Sequence, residues 1–308
     1  GLGLPWLGGV FALLTSLAAF GIGNMVQANS VADALHTTFG LSHSATGIVL
    51  VVLTGAVILG GIKRIGQVTQ LFVPFMALFY LGGGIVILVM HAAKLPAVFA
   101  LVFESAFSGT AAAGGFAGST IAMALRYGIA RGLFSNEAGL GSAPMVHAAA
   151  DTDHPVRQGL YGIFEVFVDT LLICTVTGLV ILVTDTWTAG STGAALSVRA
   201  FEAGLPGTWG DVVVTGGLIL FAFSTVIGWS YYGETGVVYL FGAKAAVPYR
   251  IAWLVFIYLG AVGSLHLIWD IADTLNGLMA IPNLIAVLYS IPLLLRLQKE
   301  FFAGPGKT

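Results

Sequence analysis

The stretch that decides the fold is Arg131-Gly-Leu-Phe-Ser-Asn-Glu-Ala-Gly-Leu-Gly-Ser-Ala-Pro144. It lies inside one apolar segment, between Gly128-Ile-Ala130 and Met145-Val-His-Ala-Ala-Ala150. Glycine, proline and the triplet Ser-Asn-Glu are poor material for a continuous helix. Unpaired backbone groups cost several kcal/mol each in hydrocarbon, so a helix breaks at membrane depth only where it lines a cavity. The stretch therefore predicts a helix with an unwound middle.

An unwound middle would direct one half-helix N-terminus at an anion and leave free carbonyl groups for a cation. This arrangement is the discontinuous-helix site of secondary transporters. A re-entrant loop, or a kink that only packs, is the structural alternative. Glu137 is the strongest single candidate for a functional side chain, because it lies within the break itself.

The composition indicates that the chain lies in a bilayer. Of its 308 residues, 12 are Lys or Arg and 14 are Asp or Glu, so 8% are charged, against ~25% in soluble domains. Hydrophobic residues make up 57%, and the mean hydropathy is +0.96. These values exclude a water-soluble domain, a disordered tail and a nucleic-acid binder. Cys174 is the single cysteine, which excludes a disulfide framework and a thiolate metal site.

Apolar runs of about 20 residues, the length that crosses a bilayer, recur along the chain. They lie near residues 8–30, 45–62, 66–91, 158–184, 210–241, 248–265 and 268–295, and the less regular stretch 105–150 adds one more. The sequence therefore predicts an all-α polytopic membrane protein with about eight crossings. The excess of Lys and Arg in the loops on the side of residue 1 predicts that both ends are cytoplasmic.

Two connections between these runs have a recognisable character. Residues 33–44 contain no Lys or Arg and suit an external loop. Residues 185–209 include the segment 194–204, which has the pattern of a short amphipathic helix lying over the external face.

Two further polar clusters occur at membrane depth. Asn24, Gln27 and Ser30 recur at a spacing of three and share one helix face. They fit either a binding site or interhelical hydrogen bonds, which are worth only ~0.6–2 kcal/mol in membranes. Ser224 and Thr225 offer adjacent hydroxyl oxygens to a small cation. Membrane Ser and Thr more often bond back to their own helix carbonyls, so both interpretations stay open.

Ionisable and aromatic residues supply the remaining candidates. Glu165 and Asp169 lie four residues apart on one helix face. They fit proton or cation coupling, or structural pairing with a neighbouring donor, and the short distance to the cytoplasmic Arg157 favours the structural role. Residues 270–283 fit a gate or a helix cap, and Trp229 fits an aromatic wall or the core.

Motifs of enzymes and pumps are absent from this sequence. It contains no phosphate-binding loop, no His-Glu-x-x-His zinc motif and no Gly-x-Ser-x-Gly elbow. The six histidines are scattered. The sequence therefore predicts a protein that is not an enzyme and holds no cofactor.

Taken together, these stretches resemble a known family. Residues 131–144 strongly resemble the signature of the alanine/glycine:cation symporters, the sodium:alanine symporter family. The family's other blocks have counterparts here in the expected order: Gly23-Asn-Met-Val-Gln-Ala-Asn-Ser30, Gly60-Gly-Ile-Lys-Arg-Ile-Gly66, His154-Pro-Val-Arg-Gln-Gly159, Gly228-Trp-Ser-Tyr-Tyr-Gly-Glu234 and Asn276-Gly-Leu-Met-Ala-Ile-Pro-Asn283. The resemblance covers essentially the whole chain.

The resemblance implies a LeuT-like fold of two inverted five-helix repeats. It implies symport of alanine or glycine with Na⁺, or in some members H⁺, and a broken helix at 134–141 that is the first of the second repeat. The substrate site that it implies is formed by Gln27, Phe134, Ser135, Asn136, Glu137, Gly139 and Trp229. Ser224 and Thr225 would be the cation ligands.

One part of the family pattern has no counterpart, the glycine-rich broken helix of the first repeat. The predicted crossings would then be core helices three to ten of a single transporter domain, 1–308. Its parts would be 1–104 as the remainder of the first repeat, 105–295 as the second repeat with its broken helix at 128–150, and 296–308 as a cytoplasmic tail. We expect the chain as given to be an incomplete fragment that does not transport alanine.

The leading prediction is therefore cation-coupled symport of a small neutral amino acid in the cell membrane. A passive channel would need a continuous polar stripe along several spans, whereas the polar residues here cluster at mid-depth. A non-transporting membrane scaffold or sensor derived from a transporter is the third possibility, and the missing helix fits it.

Overall fold

The computed structural model describes residues 3–107, 121–137 and 139–303, and in those ranges the chain forms helices and no strand. In chain order the main helices are α1 Pro5–Phe39, α2 His43–Ile58, α3 Gly61–Met90, α4 Leu95–Phe107, α5 Ile121–Asn136, α6 Ala143–His147, α7 Pro155–Val183, α8 Gly193–Gly204, α9 Trp209–Phe241, α10 Ala246–Val262 and α11 Leu265–Ala303.

Two of the long helices contain a π-helical segment. In α1 it spans Phe20–Met25, and in α7 it spans Phe167–Cys174. A π turn adds a residue to the helical turn, so side chains after it point in a different direction from those that a regular helix would give. Such segments are frequent at functional sites.

The central contacts of the bundle are made by α1, which packs against α9, α10 and α11. Trp253 of α10 is fully buried, with its ring centroid 5.5 Å from Phe20 and 5.9 Å from Tyr249. The hydroxyl of Tyr249 donates to the carbonyl of Ser16 at 3.1 Å. Because lipid tails are as apolar as these side chains, close packing and interhelical hydrogen bonds of this kind hold membrane helices together.

Within the described residues, six helices are long and apolar enough to cross a membrane, and α2 is a shorter apolar helix. All the regular spans predicted from hydropathy coincide with one of these helices, so the prediction of an all-α polytopic membrane protein is confirmed. The number of eight crossings stays a prediction. The irregular stretch predicted at 105–150 includes residues 108–120, which lie outside the described residues.

Two predictions about connections can be compared with the helices. The prediction of a loop at 33–44 is wrong, because α1 continues to Phe39 and only Gly40 to Ser42 separate it from α2. His43 Nε2 lies 2.9 Å from Asp33 Oδ1, and this bond links the start of α2 to α1. These two polar residues of the segment 33–44 therefore connect helices and do not lie in a long loop. The amphipathic helix predicted within 185–209 is confirmed as α8, which packs on α9. Residues 296–303, which the sequence predicts as part of a cytoplasmic tail, belong to α11, and this helix ends at Ala303.

Candidate functional site

The break predicted in 131–144 is present. Helix α5 ends at Asn136, and the short helix α6 begins at Ala143. The backbone between them has left-handed φ values of +51° at Glu137, +75° at Gly139 and +86° at Gly141. A glutamate with positive φ is uncommon and marks a constrained backbone. The break begins at Glu137 rather than at residue 134, because the left-handed backbone starts only there.

The Glu137 side chain organises the break. Its Oε1 accepts a hydrogen bond from Trp229 Nε1 at 2.7 Å, and its Oε2 accepts one from Ser142 Oγ at 2.7 Å. Trp229 is 2% exposed and Ser142 is fully buried. A partly buried carboxyl group is tolerated when such donors satisfy it. The carboxylate therefore joins the two sides of the break to the middle of α9.

The Trp229 indole lies directly on the backbone of α1. A Cβ atom added at Gly23 would lie 2.1 Å from the Cβ of Trp229, so only glycine permits this approach. Gly23 belongs to the π-helical segment of α1. The segment, the break and α9 thus meet around one aromatic side chain.

Phe134 lies one turn before the break and faces α11. Its ring centroid is 5.0 Å from that of Trp269. The guanidinium of Arg131 lies 4.4 Å from the Trp269 ring centroid and forms an ion pair with Asp273. Stacking of arginine on an aromatic face is favourable, and here it adds a charged contact beside the Phe134 ring.

Ser135 and Asn136 face α7. Ser135 Oγ donates to Asp169 Oδ2 at 2.7 Å, and Thr170 Oγ1 donates to Asn136 Oδ1 at 2.7 Å. The Asn136 amide nitrogen donates to the carbonyl of Gly132 at 3.0 Å. These bonds attach the end of α5 to the π-helical segment of α7. The predicted substrate residues in this triplet therefore point to different helices, since Glu137 points to α9.

Gln27 lies two residues after the π-helical segment of α1, and its Nε2 donates to the carbonyl of Ile22 at 3.1 Å. Its Oε1 accepts no hydrogen bond from the described residues. Asn24 instead reaches across to α10 and donates to Trp253 O at 2.8 Å, while Ser30 bonds to Val26 O of its own helix. The predicted common face is therefore split, and the interhelical bond is made by Asn24.

Ser224 and Thr225, the predicted cation ligands, both donate to the carbonyl of Phe221, at 2.8 and 2.9 Å. This is the bonding to their own helix that the sequence left open. The hydroxyl oxygens keep lone pairs that can accept or coordinate. No group of three or more His, Cys, Asp or Glu side chains suited to a metal ion occurs among the described residues.

Glu165 and Asp169 each have a separate donor. Glu165 Oε2 bonds to His147 Nε2 at 3.1 Å, and Asp169 accepts from Ser135. The favoured structural interpretation, pairing with neighbouring donors, agrees with these contacts. The π-helical segment starts at Phe167, between the two carboxylates, and the two side chains bond to different partners.

Helix α11 covers the break from another side. Asn283 Nδ2 donates to the carbonyl of Gly139 at 2.9 Å. A Cβ atom at Gly141 would lie 2.7 Å from Asn283 Cγ, so this position needs glycine for space as well as for its φ. The asparagine that closes the polar cluster 270–283 therefore satisfies a carbonyl that the break leaves free.

A cavity of about 540 Å³ lies between α6 and the first turns of α7. Asn136 contributes to its wall, together with His147, Gln158 and Glu165. Gln158 Nε2 bonds to His147 Nδ1 at 2.8 Å. The cavity is thus adjacent to the break, and the Asn136 side chain lies between them.

Sequence reasoning missed three of these residues. Asp273 and Asn283 lie in the cluster 270–283, which was recognised without a partner for either side chain. His147 was dismissed with the scattered histidines, and nothing in its local sequence indicates that Glu165, eighteen residues later, is its partner. Pairing across a loop of this kind requires the fold.

The chain matches a known protein family over nearly its whole length. A family model described as the sodium:alanine symporter family matches residues 1–306. The chain is 51% identical over 286 residues to the sodium/alanine symporter AgcS of Methanococcus maripaludis, covering 92% of this chain and 62% of that protein. It is 44% identical over 304 residues to an uncharacterized transporter of Haemophilus influenzae, covering 98% and 67%.

A third relative carries a different substrate in its name. The probable sodium/glutamine symporter GlnT of Bacillus subtilis is 40% identical over 289 residues, covering 93% of this chain and 59% of that protein. The chain therefore spans about three fifths of the length of these relatives, with coverage of 62%, 67% and 59%.

Proposed function

The chain belongs to the sodium:alanine symporter family, and from that premise we propose that the intact protein carries out Na⁺-coupled symport of alanine, with glycine as a second substrate. The family and its relatives are transporters, and the chain is a multi-pass membrane protein. Under this proposal Na⁺ is the coupling ion, with H⁺ as the alternative ion, and both are transported rather than resident.

We propose that the helices form a LeuT-like fold with eight crossings in the cell membrane and both chain ends cytoplasmic. The supporting features are the broken helix, α5 and α6, and the π-helical middle of α1, which is linked to the break through Trp229. In this arrangement 1–104 belongs to the first repeat and 105–295 to the second. Discontinuous helices at the interface of two repeats are the usual location of substrate and ion sites.

The observation that carries the proposal is the carboxylate of Glu137, held in the break by Trp229 and Ser142. A positive φ at a residue other than glycine costs conformational free energy, and it persists only where the surroundings hold it in place. Backbone strain of this kind is common at ligand sites. The Trp229 indole is fixed in turn by the backbone of Gly23. The break is therefore preorganised, which lowers the entropy lost when a small ligand binds.

Residues from several helices would contact the substrate. Gln27 offers the amide oxygen that accepts no bond from the described residues, which suits an ammonium group. Phe134 and Trp229 provide apolar walls, and the backbone near Glu137 and Gly139 provides polar groups. Ser135 and Asn136, which bond to α7, would position the end of α5.

The coupling cation would bind at Ser224 and Thr225 on α9. Na⁺ prefers hard oxygen ligands, as hydroxyl and carbonyl groups supply. Both hydroxyl hydrogens are directed at Phe221 O, so both oxygen lone pairs face away from that carbonyl and are available to a cation.

The proposal is tested by uptake of radiolabelled alanine into cells or proteoliposomes that contain the intact protein. Replacing external Na⁺ with choline at constant pH should abolish saturable uptake. Uptake that continues undiminished in choline, and that follows an imposed pH gradient, would assign the coupling to H⁺. Flux that does not saturate with alanine would contradict symport.

A further inference from the structure

The cavity between α6 and α7 contains a set of polar side chains that the proposed central site does not use. Its volume is about 540 Å³, several times that of a small amino acid. Its wall includes Pro144, Ala148 and Gly162 as apolar surface, and Gln158 and Glu165 as polar surface. Ligand sites typically combine a mainly apolar wall with a few convergent polar groups.

The hydrogen bonds in this cavity define which polar groups remain available. The Gln158 amide nitrogen donates to His147 Nδ1, and His147 Nε2 lies 3.1 Å from Glu165 Oε2. With Nδ1 as acceptor, the neutral imidazole carries its proton on Nε2 and donates it to Glu165. The other carboxyl oxygen of Glu165, Oε1, accepts no hydrogen bond from the described residues.

The available groups suit a zwitterion. The free Oε1 of Glu165 matches an ammonium group, since a charge-assisted hydrogen bond to a carboxylate is the stronger kind. The second N–H of the Gln158 amide matches a carboxylate, because an amide nitrogen has two donors and only one is used here. The apolar wall between them accommodates a short aliphatic side chain.

The position of the cavity gives this chemistry a role. Asn136 lines it and also ends the helix at the break. Helix α7 begins near Arg157, on the side of the chain that the distribution of Lys and Arg assigns to the cytoplasm. We propose that the cavity is a second, release-side binding site for the transported amino acid, an inference that rests on the proposed function.

A cavity-filling substitution tests the second site without disturbing the break. A Cβ atom at Gly162 would meet nothing within 4 Å, and Gly162 lines the cavity, so Gly162→Trp places a large side chain at the cavity wall. Gly178→Trp is the matched control, because Gly178 lies on the same helix, also has nothing within 4 Å of its Cβ, and does not line the cavity.

The first measurement is equilibrium binding of radiolabelled alanine to the intact protein in nanodiscs with saturating Na⁺. We expect two classes of site in the unsubstituted protein and in Gly178→Trp, and one class in Gly162→Trp. Exchange of internal for external alanine should slow about tenfold in Gly162→Trp, because the release path is filled.

The second measurement isolates the carboxylate. Glu165→Gln should weaken alanine binding about tenfold at the class of site that Gly162→Trp removes, because the amide lacks the carboxylate's interaction with the ammonium group. Asp153→Asn is its control, since that exposed carboxylate bonds to Arg157 outside the cavity. Thermal unfolding of all four variants checks that each one folds.

The outcomes separate the second site from the proposed function. One class of alanine site, with binding and exchange that Gly162→Trp leaves unchanged, would overturn the second site and leave the symport proposal standing. An unsubstituted protein that binds no alanine would overturn both.

Discussion

The indole N–H of Trp229 donates to Glu137 Oε1 at 2.7 Å, which joins the middle of α9 to the helix break. The same carboxylate accepts from Ser142, and the same indole packs on Gly23. The break is therefore not a flexible interruption. It is held by one carboxyl group, and both oxygens of that group accept a hydrogen bond.

Trp229→Phe should destabilise the protein by ~1–3 kcal/mol, the usual cost of leaving an acceptor inside a protein without its donor. The phenyl ring keeps much of the packing on Gly23 but leaves Glu137 Oε1 without its donor. Thermal unfolding in detergent measures the change, and alanine uptake should fall with it because the break loses its fixed geometry.

Trp209→Phe is the control for this substitution. Trp209 lies at the start of the same helix and is 65% exposed, so its replacement should change the free energy of unfolding by less than ~0.5 kcal/mol. Equal decreases of the free energy of unfolding in the two variants would show that the hydrogen bond between Trp229 and Glu137 does not stabilise the protein.

Much of this fold was predictable from local sequence. Apolar runs of bilayer length predict the helices. Glycine, proline and the triplet Ser-Asn-Glu predict the break, and in the structure Glu137, Gly139 and Gly141 take positive φ there. Such predictions succeed because hydropathy and backbone preference are local properties, read from consecutive residues.

The pairings within the site were not predictable, for two physical reasons. The π-helical segments at Phe20–Met25 and Phe167–Cys174 depart from the regular helix that a spacing argument assumes, and they contain Asn24 and Asp169. The partners also come from distant parts of the chain, as in the bond between Glu137 and Trp229, and no local pattern encodes them.

The ion pair of Arg131 with Asp273 should matter more for transport than for stability. Both side chains are more than a third exposed, so screening limits the pair to about 1 kcal/mol or less. Asp273→Asn should nevertheless reduce alanine uptake, because Arg131 stacks on Trp269 beside the Phe134 ring and loses its anchor.

The reversed pair distinguishes a direct interaction from two independent effects. Uptake by the double variant Arg131→Asp/Asp273→Arg should recover part of the activity that each single substitution removes. A double variant no more active than the worse single variant would argue against a direct role for the pair.

Substitution of the proposed cation ligands should weaken the binding of Na⁺ without changing the fold. Ser224→Ala and Thr225→Val each remove an oxygen and leave Phe221 O without one donor. The Na⁺ concentration for half-maximal uptake should rise about tenfold, with little change in maximal uptake at saturating Na⁺.

Thr235→Val is the matched control for the cation ligands. Thr235 lies on the same helix and its hydroxyl likewise donates to a carbonyl four residues earlier, that of Tyr231, at 2.7 Å. It should leave the Na⁺ dependence unchanged. If it shifts the Na⁺ dependence as much as Thr225→Val does, the effect is one of helix bonding rather than of cation binding.

The connection that contains α8 should give the protein a pH-dependent stability. Burial, a hydrogen bond with Asp211 and the negative charge of Asp211 raise the pKa of Glu202 above its ordinary value of 4.5. The folded chain then binds more protons than the unfolded chain between the two pKa values. The free energy of unfolding should therefore fall as pH rises from 4.5 through that window, and level off above it.

Glu202→Gln should flatten this part of the stability profile, as measured by thermal unfolding at a series of pH values. Glu300→Gln, at an exposed position near the end of α11, is the control and should keep the slope of the unsubstituted protein. A slope unchanged by Glu202→Gln would assign the pH dependence to other groups.

The central claim is that movement of alanine and movement of Na⁺ are one coupled process. The most direct test is influx of radiolabelled Na⁺ into proteoliposomes that contain the intact protein, with and without external alanine, at equal internal and external pH. If the two movements are coupled, alanine increases Na⁺ influx in a saturable way, and Glu137→Gln reduces this increase. Na⁺ influx that is the same with and without alanine would contradict it.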